Sequence, residues 1–173
     1  MARAVMAIDQ VRQAVAAKVG GVFGADQPRI DHAFQVLAYA EELMAGQPVD
    51  ATVVIAAALL HDIGIAEAER KHGSAEARFQ ELEGPPIARR LMEELGFEAR
   101  VIEHVCRIVA NHHSASGIDT AEFRVIWDAD WLVNIPGMHP TMPGDEMERL
   151  IGRVFKTGAG TRKARELFLR DIW

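Results

Sequence analysis

The sequence predicts an all-α fold, a compact bundle of helices, on three observations. Apolar residues recur at helical spacing, i, i+3 and i+4, along almost the whole chain. Strand-like runs of alternating polar and apolar β-branched residues between turn signals are not found. Glycine and proline cut the chain into segments of helical length.

The first helix is expected from about Ala2 to Val19, ending at Gly20-Gly21. A turn from Gly24 to Pro28 leads to a second, Arg29 to Ala45, closed by Gly46 and Pro48. Asp50 can cap a third over Ala51–Asp62, which is apolar on every face and so belongs in the middle of the core, with Gly64 as its end. A short helical stretch follows before Gly84-Pro85-Pro86. Proline suits a first turn, so a new helix is expected from Pro86 to Leu95, stopped by Gly96. Another runs from Glu98 to His113. Asp119 or Thr120 caps the next, which reaches Ile135, and the loop PGMHPTMPG separates it from two C-terminal helices.

A chain of 173 residues has the size of one domain, and 49% apolar against 25% charged residues is the balance of a globular protein. The formal charge of −6 argues against a basic face for nucleic acid or anionic lipid and favours small-molecule chemistry. A lone cysteine, Cys106, excludes an intramolecular disulfide framework and a cysteine-rich zinc ribbon, which makes the cytoplasm the expected compartment. The longest apolar run, Ala51–Leu60, is about half of the ~20 residues a membrane span needs, and the N-terminus has no usable signal-peptide core.

Helical spacing sorts the histidines. His32 shares a stripe with Val36, Tyr39 and Leu43, His112 with Val101, Val105 and Ile108, and His113 with Ile102, Cys106 and Val109, so these three point inward. His104 lines up with Arg100, Arg107 and Asn111, and His72 lies in the polar stretch Glu67–Glu76, so both are expected to be wet. His61-Asp62 ends the most apolar helix, where a carboxylate meets both desolvation and the negative pole of the helix dipole and needs a cation. Asp128 and Asp130 pose the same problem within RVIWDADWLVNI, with no lysine or arginine before the loop. One metal ion would answer both. Imidazoles with hard carboxylates suit Mn, Fe, Co, Ni or Zn better than calcium. Bundle interiors are where such sites are built.

These residues resemble the HD superfamily of metal-dependent phosphohydrolases. ALLHDIGI carries the His-Asp-Ile-Gly form of its motif, and RIDHAFQVLAYA is similar to the helix that brings its first histidine. Asp128-Ala129-Asp130-Trp131-Leu132 matches its distal aspartates, except that Trp131 stands where a basic residue is common. The resemblance covers about Arg29 to Ile135 and implies an HD-type bundle as one domain over 1–173, with residues 1–28 and 136–173 as helical additions. It implies His32, His61, Asp62 and Asp130 as metal ligands, with Asp62 also catalytic and Asp128 a supporting or catalytic carboxylate. IVANHHS is similar to the paired histidines of many members. His112 and His113 are thus candidates for proton transfer or phosphate binding, and His112 with Glu83 for a second metal.

The implied reaction is release of phosphate from a nucleotide or other small phosphate ester by metal-activated water. Mn, Fe, Co, Ni, Zn or Mg would serve. Lys71, Arg89 and Arg90 are candidates for the remaining phosphate charge, and a homodimer is allowed. Neither a Gly-x-Ser-x-Gly nucleophile motif nor a Gly-x-x-x-x-Gly-Lys phosphate loop is present. Competing readings are an inactive module that binds a nucleotide or partner, a di-iron oxygenase on the same scaffold, and a helical adaptor whose histidines are satisfied by carbonyls.

Overall fold

A computed structural model describes residues 6–169 of the chain, and every regular element among them is helical. In order these are α1 (Ile8–Phe23), α2 (Gln27–Met44), α3 (Ala51–Leu60), α4 (Ile65–His72), α5 (Ala77–Glu94), α6 (Ala99–Val109), α7 (Ala121–Met138), α8 (Gly144–Val154) and α9 (Gly158–Phe168). The all-α expectation is met.

Helix α3 is the axis of the molecule. Asp50 caps it by accepting from the N–H groups of Thr52 and Val53, and every residue from Val53 to Leu60 is buried. It is surrounded by α1, α2, α6 and α7, while α2 also packs along α7. Ala51–His72 is apolar enough to pass for a membrane span, with mean hydropathy 1.6, but 67% of its most apolar 18-residue stretch is buried inside the bundle. Burial on all sides is what its lack of a polar face requires.

Several boundaries differ from the sequence expectation. The proposed start of α1 at Ala2 lies outside the described residues, and the helix passes through Gly20-Gly21 to Phe23. Val11, Val15, Val19 and Phe23 form one buried stripe, and holding Phe23 in it outweighs the roughly 1 kcal/mol that a helical glycine costs. Gly24, at φ +59°, then ends it. Likewise α2 starts at Gln27, because Asp26 accepts from the Arg29 N–H, and α3 stops at Leu60, leaving His61 to Gly64 as a turn.

The largest correction concerns Gly84-Pro85-Pro86, which does not separate two helices: α5 runs straight through. Each proline lacks the N–H for the carbonyl four residues back, but that stretch borders Leu82, which is 60% exposed, so water can serve the freed groups. The helix persists because Gln80, Glu83, Ala88, Leu91 and Met92 bury one continuous face. Gly84 is needed for a different reason. A Cβ on Gly64 would come within 2.6 Å of the Gly84 backbone nitrogen, and one on Gly84 within 2.7 Å of Val109 Cγ1. Two bare backbones therefore cross just after the His61-Asp62 turn.

Similarly, α6 ends at Val109 and places His112 and His113 in the turn that follows, and α7, capped by Thr120, continues through Pro136 to Met138. Helices α8 and α9 pack on each other, and α9 lies against α7.

Candidate metal centre

Two helix bodies and the turns after two others meet at the site. His32 stands one turn into α2, His61 and Asp62 follow the last residue of α3, Asp130 lies midway along α7, and His112 sits past the end of α6. His32 Nε2 is 3.1 Å from Asp130 Oδ1, 3.2 Å from His61 Nε2 and 3.4 Å from Asp62 Oδ2. His61 Nε2 is 3.4 Å from the same Asp62 oxygen and 3.5 Å from Asp130 Oδ1. The other oxygen of Asp62, Oδ1, lies 3.3 Å from His112 Nε2.

Ring orientation follows from the backbone. His61 Nδ1 donates to the Ala58 carbonyl at 2.8 Å and His112 Nδ1 to that of Val109 at 2.7 Å. Each neutral ring therefore turns a bare Nε2 lone pair toward the cluster. Two lone pairs and two carboxylates facing one another repel unless a cation or protons lie among them. His112 Nε2 is buried and has no hydrogen-bond partner among the described residues, although a carboxylate oxygen faces it. These donors fit a divalent ion. His32, His61 and Asp62 offer ligand atoms within 4.8 Å of one another, and so do Asp62, His112 and His113.

Titration reflects the same crowding. Burial disfavours charge on His61, but Asp62 and Asp130 raise its pKa well above the ordinary imidazole value. Burial would raise Asp62 and Asp130, yet the imidazoles beside them hold both below the usual carboxylate range. Partial desolvation, with His112 alongside, lowers the pKa of His113.

The remaining candidates are placed elsewhere. Asp128 is fully buried but faces the C-terminal helices: it accepts from the N–H groups of Lys156 and Thr157 at 2.8 Å each and from Thr157 Oγ1 at 2.6 Å. Three of its acceptor positions hold the α8–α9 connection, so it is bonded there rather than to the His32, His61, Asp62 and Asp130 cluster. Glu83 belongs to neither ligand group. It accepts from Lys71 Nζ at 2.7 Å and pairs with His72 Nε2 at 2.9 Å, so His72, expected to be wet, is bonded and stacked on Phe79.

Lys71 is further neutralised by Glu67, Arg89 pairs with Glu103, and Arg90 pairs with Glu94. Each of the three is thus in an ion pair with a carboxylate. His104 donates to or accepts from the capping hydroxyl of Thr120 at 2.8 Å, a structural contact rather than a wet one. Two residues that the sequence reading passed over do touch the centre: Asn134 donates to Asp130 Oδ1 at 2.9 Å, and Gln80 pairs with the His113 ring. Asn134 was detectable as the i+4 neighbour of Asp130 on one helix face. Gln80 was not, since only the tertiary crossing of α5 brings it there.

The HD domain family model matches residues 29–135. The chain belongs to the HD domain family. A similar solved structure is that of a predicted HD superfamily hydrolase from an uncultured Thermotogales bacterium, 22% identical, with TM-score 0.67 over 92% of this chain and 86% of that one. At that identity the likeness speaks for the HD fold, here with α1, α8 and α9 around it. No curated protein matches the chain.

Proposed function

We propose that this HD domain is a divalent-metal-dependent phosphohydrolase acting on a small phosphate ester, with His32, His61, Asp62 and Asp130 holding the ion. The observation that carries the reading is the convergence of His32, His61 and both aspartates on one point, with lone pairs aimed at one another and, among the described residues, no lysine or arginine bonded to either carboxylate. A structural adaptor would have no use for that repulsion, and a degenerate module would be expected to have lost one of these side chains.

A bound ion supplies an acidified water and charge neutralisation for a phosphoryl oxygen. The chain supplies the rest. Ala58 and Val109 carbonyls fix the His61 and His112 rings, Asn134 holds the Asp130 carboxylate, and the two oxygens of Asp62 face different imidazoles. In the overall reaction water adds to phosphorus, the ester P–O bond breaks, and the leaving oxygen takes up a proton, for which His112 and His113 are the candidate donors.

The test is elemental analysis of the purified protein together with phosphate release from a panel of phosphomonoesters and nucleotides, with Mn, Fe, Co, Ni, Zn or Mg added. About one ion per chain with metal-dependent release supports the proposal, while no ion and no rescue by any metal overturns it. A second reading, a di-iron oxygenase, is favoured by the unpartnered His112 Nε2 next to the shared Asp62. Two irons per chain with substrate-dependent oxygen consumption would select it.

A further inference from the structure

Gln80 is a buried polar side chain that takes no part in the chemistry above. A buried amide is costly unless both of its ends are bonded, and here both are. Its Nε2 donates to the Ala75 carbonyl at 2.6 Å, and its Oε1 lies 3.2 Å from His113 Nε2. A backbone carbonyl can only accept, so the amide can stand only one way round, with its oxygen toward the histidine. An amide oxygen also only accepts. The Nε2 of His113 must therefore carry a hydrogen, and in the neutral ring the lone pair is on Nδ1.

This is the opposite of the state imposed on His112, whose Nδ1 is the donor and Nε2 the free lone pair. The two rings are neighbours in sequence and lie 4.0 Å apart between centroids. The neighbouring α5 residue, Glu81, secures the same turn by accepting from the backbone N–H groups of His113 and Ser114 at 2.9 and 2.8 Å. Adjacent side chains of α5 thus fix the backbone of the His112-His113 turn and the ring of its second histidine.

We propose that Gln80 is a positioning residue which makes Nδ1 the nitrogen that His113 lends, beside Asp62 and His112, to a second divalent cation. The inference rests on the proposed metal reading, and adds to it which residue prepares the second position.

Zinc titration calorimetry on the full chain, combined with two-bond proton–nitrogen correlation spectra of the histidines, tests it. In the wild type the His113 spectrum should show the hydrogen on Nε2, and two zinc equivalents should bind. Gln80→Leu should keep the first equivalent within about twofold and weaken the second at least about tenfold, as loss of a ligand's supporting hydrogen bond does. Gln80→Glu, which still accepts from Nε2, should retain the second equivalent.

Unchanged binding of the second equivalent in Gln80→Leu overturns the inference. So does a wild-type His113 with its hydrogen on Nδ1, or a single equivalent in the wild type, both of which leave the first metal position standing. A wild type that binds no zinc removes the reading beneath it. If Gln80→Leu does not fold, as judged by circular dichroism, the wild-type tautomer and stoichiometry decide.

Discussion

Asp62 is the residue on which the centre turns, since one oxygen faces His32 and His61 and the other faces His112. Asp62→Ala should therefore leave less than about a tenth of the wild-type metal content while the far-ultraviolet spectrum stays helical. Retained metal and turnover would refute the assignment of the ligands. Asn134→Ala, which removes one hydrogen bond to Asp130, should weaken the first ion about 10- to 100-fold by competition with a chelating dye, without removing a ligand.

The metal-free protein also has a defined pH response. His61, raised by its aspartates, contributes stability that is complete below its unfolded pKa and lost as pH rises through the folded one; Asp62, lowered by its imidazoles, contributes stability that is complete above its unfolded pKa and lost as pH falls. Both are in force between about pH 4 and about pH 6.5, where the Tm of the metal-free protein should peak. A divalent ion replaces the proton on His61 and should flatten the alkaline decline. A metal-free Tm that climbs steadily above pH 7 would contradict this account.

Among the elements, α5 and the His61–Gly64 turn form the joint on which the site is built. Gly64→Ala would drive a methyl into the Gly84 backbone and should cost about 1–3 kcal/mol in urea unfolding, where a surface Gly152→Ala, with open space around it, should not destabilise. Helix α5 is also where sequence reasoning went furthest astray. Gly-Pro-Pro is a strong local stop signal, and it lost to a buried face whose partners are distant in sequence. Conversely, α3 was legible because ten residues without a polar face have only one place to go. His32, His61, Asp62 and Asp130 were legible for a related reason, being ionisable groups on apolar stripes. For Lys71, Arg89 and Arg90 the sequence shows the positive charge, and only the fold shows the carboxylate each one pairs with.

At the scale of the whole molecule, a site assembled from α2, α3, α6 and α7 means that ligand binding and folding are linked. Free metal at about 100 times its Kd should raise stability by about 2.7 kcal/mol, seen as a rise in Tm that a chelator reverses. Equal Tm values with and without chelator would show that no ion binds the folded state preferentially.

Asp128 ties α7 to the connection between α8 and α9. Asp128→Ala should cost about 1–3 kcal/mol, because it leaves two part-buried N–H groups and a hydroxyl without their acceptor, while metal content stays at the wild-type level. Its consequence reaches beyond stability to where the unit of folding ends. The family match stops at residue 135, but a polypeptide cut there would keep the Asp128 carboxylate and lose every group bonded to it. The boundary of shared ancestry and the boundary of independent folding are thus different lines in this protein. A deletion that respects the first would bare the face of α7 that carries Asp128, two residues from Asp130, and leave its carboxylate to water.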